Sequence, residues 1–339
     1  MNKLLNREDI AAIISGLPDP VIVINQEKII VASNGAAETM FASTLLDKHL
    51  SFVLRVPAVL QATVDALTEQ KTAKVQYQLR GPIARSFDVH VSPLGGTCAL
   101  LSIRDLTHVE NIERMRSDFV ANASHELRTP LATLSGFIET MQGSAKNDPK
   151  ARDQFLTIMK AQADRMAALI DDLLSLSRIE ISEHVAPNEK ADLAQIARQS
   201  RDLLIATAKD VDCEIRMVLP ATLPVIGDAQ QLSQVIYNLM ENAIKYGASG
   251  KRIDVIGRAL ENTVELSVRD HGPGIAAHHV PRLTERFYRV NVQDSRSRGG
   301  TGLGLAISKH IINRHRGKLL IESEIGQGSN FTIVLQNNK

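Results

Sequence analysis

Residues 119–130 read F-V-A-N-A-S-H-E-L-R-T-P, setting an imidazole beside a carboxylate with a hydroxyl one helical turn further on. On a helix His125 and Thr129 are i and i+4 and share a face. Glu126 adjoins the imidazole in sequence and is placed to accept its ring proton. Pro130 lacks an N–H and crowds the preceding turn, so the helix is expected to bend just after the histidine. The zinc pattern H-E-x-x-H is excluded, because position 129 is threonine and the second ligand is missing.

Four further clusters follow in the C-terminal half. The first is Asn238-Leu239-Met240-Glu241-Asn242-Ala243-Ile244-Lys245-Tyr246, which on a helix puts Asn238, Asn242 and Lys245/Tyr246 on nearby faces. The second, Val268-Arg269-Asp270-His271-Gly272-Pro273-Gly274-Ile275, ends a strand with a carboxylate ahead of two glycines. The third is Glu285-Arg286-Phe287-Tyr288-Arg289-Val290, and the fourth, Arg298-Gly299-Gly300-Thr301-Gly302-Leu303-Gly304-Leu305-Ala306, opens a helix with glycines.

Each cluster has a chemical rationale. An asparagine oxygen is a neutral hard ligand that suits Mg²⁺, which keeps several waters and reaches a protein through few groups. Asn242 is the metal candidate, with Asn238 in support. Lys245 is positioned to meet phosphate charge. Asp270 is suited to accept a hydrogen bond from an adenine amino group, and Gly272 and Gly274 let backbone approach the base. Gly300, Gly302 and Gly304 offer N–H groups and the positive end of a helix to phosphate oxygens. Arg286, Arg289, Arg296 and Arg298 crowd the intervening loop, and one of them is expected at a terminal phosphate. No G-x-x-x-x-G-K-[ST] run exists, which excludes a P-loop, and the glycines do not follow the first strand of a βαβ unit, which excludes the dinucleotide fingerprint.

Three parts must position these residues. Residues 8–105 open with a short amphipathic helix (Ile10, Ile13, Ile14), a turn at 16–20, and strands at 21–25 and 28–32. A helical middle and strands at 73–80, 84–92 and 97–104 complete a small α+β module. In residues 106–180, Leu127, Leu131, Leu134, Ile138 and Met141 form a narrow coiled-coil stripe, and a second stripe runs from Phe155 to Leu176 after a polar loop at 143–149. Such a helical hairpin buries both stripes well only in two copies, so a homodimeric four-helix bundle is expected. Residues 187–339 alternate helix 191–208, strand 213–219, helix 229–246, strands 252–260 and 263–270, helix 303–315, and strands 317–323 and 329–335. The pattern predicts an α/β sandwich on a mixed sheet, with Leu239 and Met240 in its core.

Composition narrows the partners. The 339 residues carry a formal charge of +1, and aromatics make up only 4% with no Trp, which argues against nucleic acid. Cys98 and Cys213 are too far apart in sequence to read as a metal or redox pair, and they fit a reducing compartment. No apolar run approaches a bilayer span, so a cytoplasmic chain without transmembrane segments is expected unless it is a fragment of a longer membrane protein. His49 and His90 stand alone and read as packed or exposed side chains rather than haem ligands.

The F-V-A-N-A-S-H-E-L-R-T-P run resembles the phosphoacceptor box of sensor histidine kinases. The four later clusters match, in order, the N, G1, F and G2 boxes of the histidine kinase, gyrase, Hsp90 and mismatch-repair ATPases. E-R-F-Y-R-V and G-G-T-G-L-G-L-A-I look like the phosphate-regulon sensor kinase subgroup, with His271 and Asn291-Val292 as departures. The N-terminal module, closed by Asp105-Leu106-Thr107, resembles a Per-Arnt-Sim sensor domain. The resemblance implies autophosphorylation of His125 by ATP with Mg²⁺, transfer to an aspartate of a response-regulator receiver domain, and phosphatase activity toward that regulator. Glu126 would hold the Nδ1 proton, and Thr129 would position a hydrolytic water. Asn238, Asn242, Lys245, Tyr246, Asp270, Gly272, Gly274, Ile275, Arg289, Gly300, Thr301, Gly302, Leu303 and Gly304 would line the nucleotide, with the metal at Asn242.

Overall fold

A computed structural model of the protein describes residues 7–79, 84–95, 97–291 and 300–337. The chain divides between Asp118 and Phe119 into two compact units. In the first, α1 (Arg7–Ser15) precedes β1 (Val21–Asn25) and β2 (Ile30–Ser33). The helices α2 (Gly35–Phe41), α3 (Leu50–Val53) and α4 (Pro57–Thr68) follow, then β3 (Ala73–Leu79), β4 (Arg85–Leu94) and β5 (Cys98–Asp105). The sheet order is β2-β1-β5-β4-β3, with antiparallel pairing throughout. Strand β1 is buried on both faces. Ile22 and Ile24 join a core with Leu50, Val59, Phe87 and Leu101, while Val21 and Val23 pack with Ile10 and Ile14 of α1. That two-sided cover explains why V-I-V-I shows no polar alternation.

Asn34 ties the entry of this unit together and is 3% exposed. Its Nδ2 donates to the carbonyls of Ile14, Leu17 and Asp19 at 3.3, 3.1 and 2.9 Å. Its Oδ1 accepts from the N–H groups of Val21 and Ala37, both at 3.0 Å, so it caps α2 as well.

Helix α5 (Thr107–Gln142) crosses the boundary between the units, and α6 (Pro149–Ser182) follows. Asp148 caps α6 through Oδ1, which accepts from the N–H groups of Lys150 and Ala151. Pro130 lies inside α5, which runs through it without interruption. In the single chain Leu131, Ile138, Ile170 and Leu174 of the hairpin are all more than 40% exposed.

The rest of the second unit contains β6 (Lys190–Asp192), α7 (Leu193–Asp210), β7 (Glu214–Val218), β8 (Pro224–Ile226) and α8 (Ala229–Gly247). Then come β9 (Arg252–Ala259), β10 (Thr263–Asp270), α9 (Gly304–Arg314), β11 (Lys318–Glu324) and β12 (Gly328–Gln336). The main sheet has the order β11-β12-β10-β9-β7, in which β7 and β9 are parallel and the other pairs antiparallel, so it is mixed. Leu239, Met240 and Ile244 of α8 and Ile307 and Ile311 of α9 pack on Ile253, Val255, Leu266, Val268 and Ile333.

Two features depart from the sequence reading. Strands β6 and β8 pair into a two-stranded sheet that three-residue segments give no periodicity to reveal. The apolar stripe of α6 does not serve the hairpin alone, because Leu169 and Leu176, with Ile179, share the core formed by residues 191–335.

Candidate active site

His125 lies on the exposed surface of α5, and its ring makes no hydrogen bond among the described residues. Thr129 is one turn on, and its Oγ1 donates to the His125 carbonyl at 3.3 Å, the usual alternative for a helical hydroxyl. Glu126 does not face the imidazole. Successive helical side chains diverge by about 100°, and its carboxylate turns toward α6. There Arg165 Nη2 donates to Oε2 at 3.2 Å, and Arg289 Nη2 donates to the same oxygen at 3.0 Å. The expected Glu126–imidazole contact is therefore replaced by a carboxylate between two guanidiniums. The Arg289 side chain is 6% exposed and that of Glu126 14%. Arg289 Nη2 also donates to the Gly300 carbonyl at 2.8 Å, while its Nε has no acceptor among the described residues.

The same side of α6 holds other parts of the glycine and arginine clusters. Thr301 Oγ1 donates to Asp172 Oδ2 at 2.7 Å. Burial pushes the Asp172 carboxyl above its ordinary range against the opposing effect of that hydrogen bond. Arg286 pairs with Glu180, and its guanidinium lies 5.2 Å from the Phe119 ring centre. His310 Nδ1 lies 3.0 Å from Glu183 Oε2. None of these α6 partners was singled out in the sequence. The available signal was a seven-residue recurrence, Arg165 to Asp172, beside the apolar stripe, and alone it reads as a solvated face.

The Asp270 cluster closes as the spacing predicts. Asp270 ends β10 at 5% exposure, and its Oδ1 accepts from the N–H groups of Gly272 at 2.9 Å and Ser329 at 3.3 Å. Burial raises its pKa, with those bonds opposing. The glycines are sterically required. A Cβ on Gly247 would lie 2.3 Å from Asp270 Cβ, one on Gly272 would lie 2.6 Å from Gly247 Cα, and one on Gly274 (φ +69°) would lie 1.9 Å from the Glu324 carbonyl oxygen. The Ile275 N–H donates to Ser323 Oγ at 2.8 Å, fixing the far end of the turn. His271 points the other way, as strand alternation demands, with Nε2 2.7 Å from Asp254 Oδ2. Burial alone would raise the Asp254 carboxyl, yet the His271 hydrogen bond and the Arg252 charge hold it below the ordinary range.

On α8, Asn238 Nδ2 donates to the Gly304 carbonyl at 3.4 Å, which joins the asparagine cluster to the glycine cluster. Asn242 lies one turn later, half-buried, and its amide has no hydrogen-bond partner among the described residues. Lys245 pairs with Glu241 at 2.9 Å, and Tyr246 is 37% exposed at the helix end. Gly302 adopts φ +77°, and its carbonyl accepts from the Phe287 N–H at 2.8 Å. Helix α9 begins at Gly304 with no side-chain cap, which leaves its first N–H groups for an anion. Leu303 has a fully buried side chain and only a backbone to offer a ligand, its N–H donating to Thr301 Oγ1 at 3.3 Å. Arg296 and Arg298 lie outside the described residues.

Among the described residues no cluster of three or more His, Cys, Asp or Glu side chains could hold a metal ion. The half-buried Asn242 amide fits a magnesium ion that arrives with a phosphate ligand and needs only one neutral protein oxygen.

Comparison with known proteins agrees with this geometry. Residues 115–181 match the His Kinase A (phospho-acceptor) domain, and residues 227–339 match the histidine kinase-, DNA gyrase B-, and HSP90-like ATPase. The phosphate regulon sensor protein PhoR of Pseudomonas aeruginosa is 38% identical over 72% of this chain and 55% of its own length. The sensor protein kinase WalK of Staphylococcus saprophyticus is 32% identical over 96% of this chain and 54% of its own. The chain thus spans about half the length of these curated relatives. The solved histidine kinase AdeS of Acinetobacter baumannii superposes with a TM-score of 0.51 at 26% identity, covering 63% of this chain and 98% of that one. No helix among the described residues is long and apolar enough to cross a membrane. With an exposed histidine in the matched region of a helical hairpin and a buried Asp270 beside glycines on a mixed-sheet domain, the chain belongs to the sensor histidine kinases, near the PhoR subgroup.

Proposed function

We propose that the chain is an ATP-dependent protein-histidine kinase that phosphorylates itself on His125. The observations that carry this reading are an imidazole that is exposed and makes no hydrogen bond among the described residues, a buried carboxylate at a glycine turn, and a helix N-terminus without a side-chain cap. Asp270 would accept from the adenine amino group. The turn of Gly272, Gly274 and Ile275 would pass the base, with Tyr246 at its edge, and the backbone of Gly300 to Gly304, with Lys245 and Arg289, would meet phosphate oxygens. Asn242 would hold Mg²⁺, which when bound would offset phosphate charge. The Nε2 lone pair attacks the γ-phosphorus, an N–P bond forms, and ADP leaves with the electrons of the broken P–O bond. The Nδ1 proton of the exposed ring passes to solvent, because the Glu126 carboxylate is turned toward Arg165 and Arg289.

The surrounding organisation is part of the same proposal. Residues 8–105 act as a Per-Arnt-Sim-like sensor, a reading supported by an antiparallel sheet of two strands, three helices and three strands. Residues 106–180 form the dimerisation and phosphoacceptor segment, supported by the exposed Leu131, Ile138, Ile170 and Leu174, and residues 187–339 bind ATP. The phosphoryl group passes in the cytoplasm to an aspartate of a response regulator, in phosphate-limitation signalling by likeness to PhoR. Thr129 positions water for the phosphatase reaction.

The test is acid-labile labelling by γ-labelled ATP. His125→Ala abolishes labelling and keeps nucleotide binding, whereas Asn242→Ala loses both. Unchanged labelling of His125→Ala refutes the assignment.

A further inference from the structure

Glu126 lies between two guanidiniums of different origin. Arg165 belongs to α6, so it stays with Glu126 whenever the hairpin is intact. Arg289 comes from the loop beside the glycine cluster and is also bound to the Gly300 carbonyl. A phosphate placed against the start of α9 would compete with Glu126 for Arg289, whose buried Nε has no acceptor among the described residues. A carboxylate at 14% exposure that lost its only cation would be a costly buried charge. One that keeps a second cation releases the first cheaply.

The geometry points to Arg165 as a positioning residue for the kinase reaction: it keeps Glu126 charge-compensated, so that Arg289 is free to leave Glu126 for the nucleotide phosphates. This rests on the proposed function and adds a residue that neither motif resemblance nor spacing singles out. Arg165 acts through Glu126, to which its Nη2 donates at 3.2 Å. Without it, Arg289 is the remaining cation on that carboxylate among the described residues, and nucleotide must pay to remove it. The signature is therefore a loss of nucleotide affinity caused by a residue outside the pocket, which vanishes when the Glu126 charge is removed.

The experiment measures the dissociation constant of a non-hydrolysable ATP analogue with Mg²⁺ on the full chain. Arg165→Ala weakens binding about tenfold, within the range of coupling between close charge pairs. Arg165→Lys restores most of it. The double variant Arg165→Ala, Glu126→Gln binds within about twofold of wild type. Unchanged affinity in Arg165→Ala overturns the inference. So does a double variant as weak as Arg165→Ala, because a merely structural defect is not repaired by removing a carboxylate. Both results leave the kinase assignment standing, since wild-type binding and His125 labelling are measured alongside. A wild type that binds no analogue overturns the kinase reading and this inference together.

Discussion

Replacing Asp270 with Asn separates the cost of this residue to the fold from its use to the site. The carboxylate is 5% exposed, and Oδ1 already accepts from Gly272 and Ser329. Asn keeps an oxygen for those donors and puts an NH₂ where the second carboxylate oxygen would face an adenine amino group. A hydrogen bond to a charged acceptor, worth roughly 1.5–3 kcal/mol, is lost and two donors are opposed, so the total is about 3 kcal/mol. That corresponds to about a 150-fold weaker dissociation constant for ATP. Stability moves the other way. Because burial raises the Asp270 pKa, the folded chain holds this proton to higher pH than the unfolded chain. The contribution of Asp270 is therefore greatest in acid, falls as pH rises through the raised pKa, and stays lower at neutral pH. Asn has no such proton, so the stability difference moves in favour of the variant across that window. Calorimetric titration with ATP and denaturant unfolding at acid and neutral pH measure both effects. Wild-type ATP affinity in Asp270→Asn would refute the adenine-reading role, and a stability difference that is the same at acid and neutral pH would refute the desolvation argument.

Two other outcomes follow from the same geometry. Gly274→Ala cannot be accommodated without moving the Glu324 backbone, since its Cβ would sit 1.9 Å from that carbonyl oxygen at φ +69°. It is expected to cost at least about 2 kcal/mol from the left-handed backbone and the clash combined, and to abolish nucleotide binding, as read by melting and titration. His315 is buried, with Nδ1 2.7 Å from the Ile311 carbonyl and Nε2 accepting from the Asp228 N–H at 3.0 Å, which fixes one neutral tautomer. Burial lowers its pKa, so the unfolded chain takes up a proton that the folded chain refuses, and stability is lost as pH falls through the ordinary imidazole range. His315→Gln should flatten that part of a stability profile measured between about pH 5 and 8, and an unchanged slope would rule His315 out as its source.

Much of the second unit was legible because its signals are local. The strands 252–260 and 263–270 and the helix 229–246 appear within a residue or so of their predicted limits, as β9, β10 and α8. Helical and strand periods are set by neighbours a few residues away. Asp270 and Gly274 were also readable, since a carboxylate at a strand end before a turn that needs positive φ is specified by adjacent residues. The N-terminal turn at 16–20 was visible, but the buried Asn34 amide that gathers its carbonyls was not, because its partners span residues 14 to 37.

The partners of the reactive helix were decided only in three dimensions. Sequence adjacency suggested that Glu126 serves His125, whereas helical geometry aims the carboxylate at Arg165 and Arg289, the latter 163 residues away. Leu303 looked like part of a phosphate loop and is a core side chain. Asp172 and Glu180, which no motif marked, hold Thr301 and Arg286. The sequence by itself marked out the histidine box and the asparagine, aspartate and glycine clusters as candidates, because those features follow from residue type and short spacing. Only the tertiary structure decided which charges meet. Coulombic pairing depends on distance and burial, and neither is encoded in the separation of two residues along the chain.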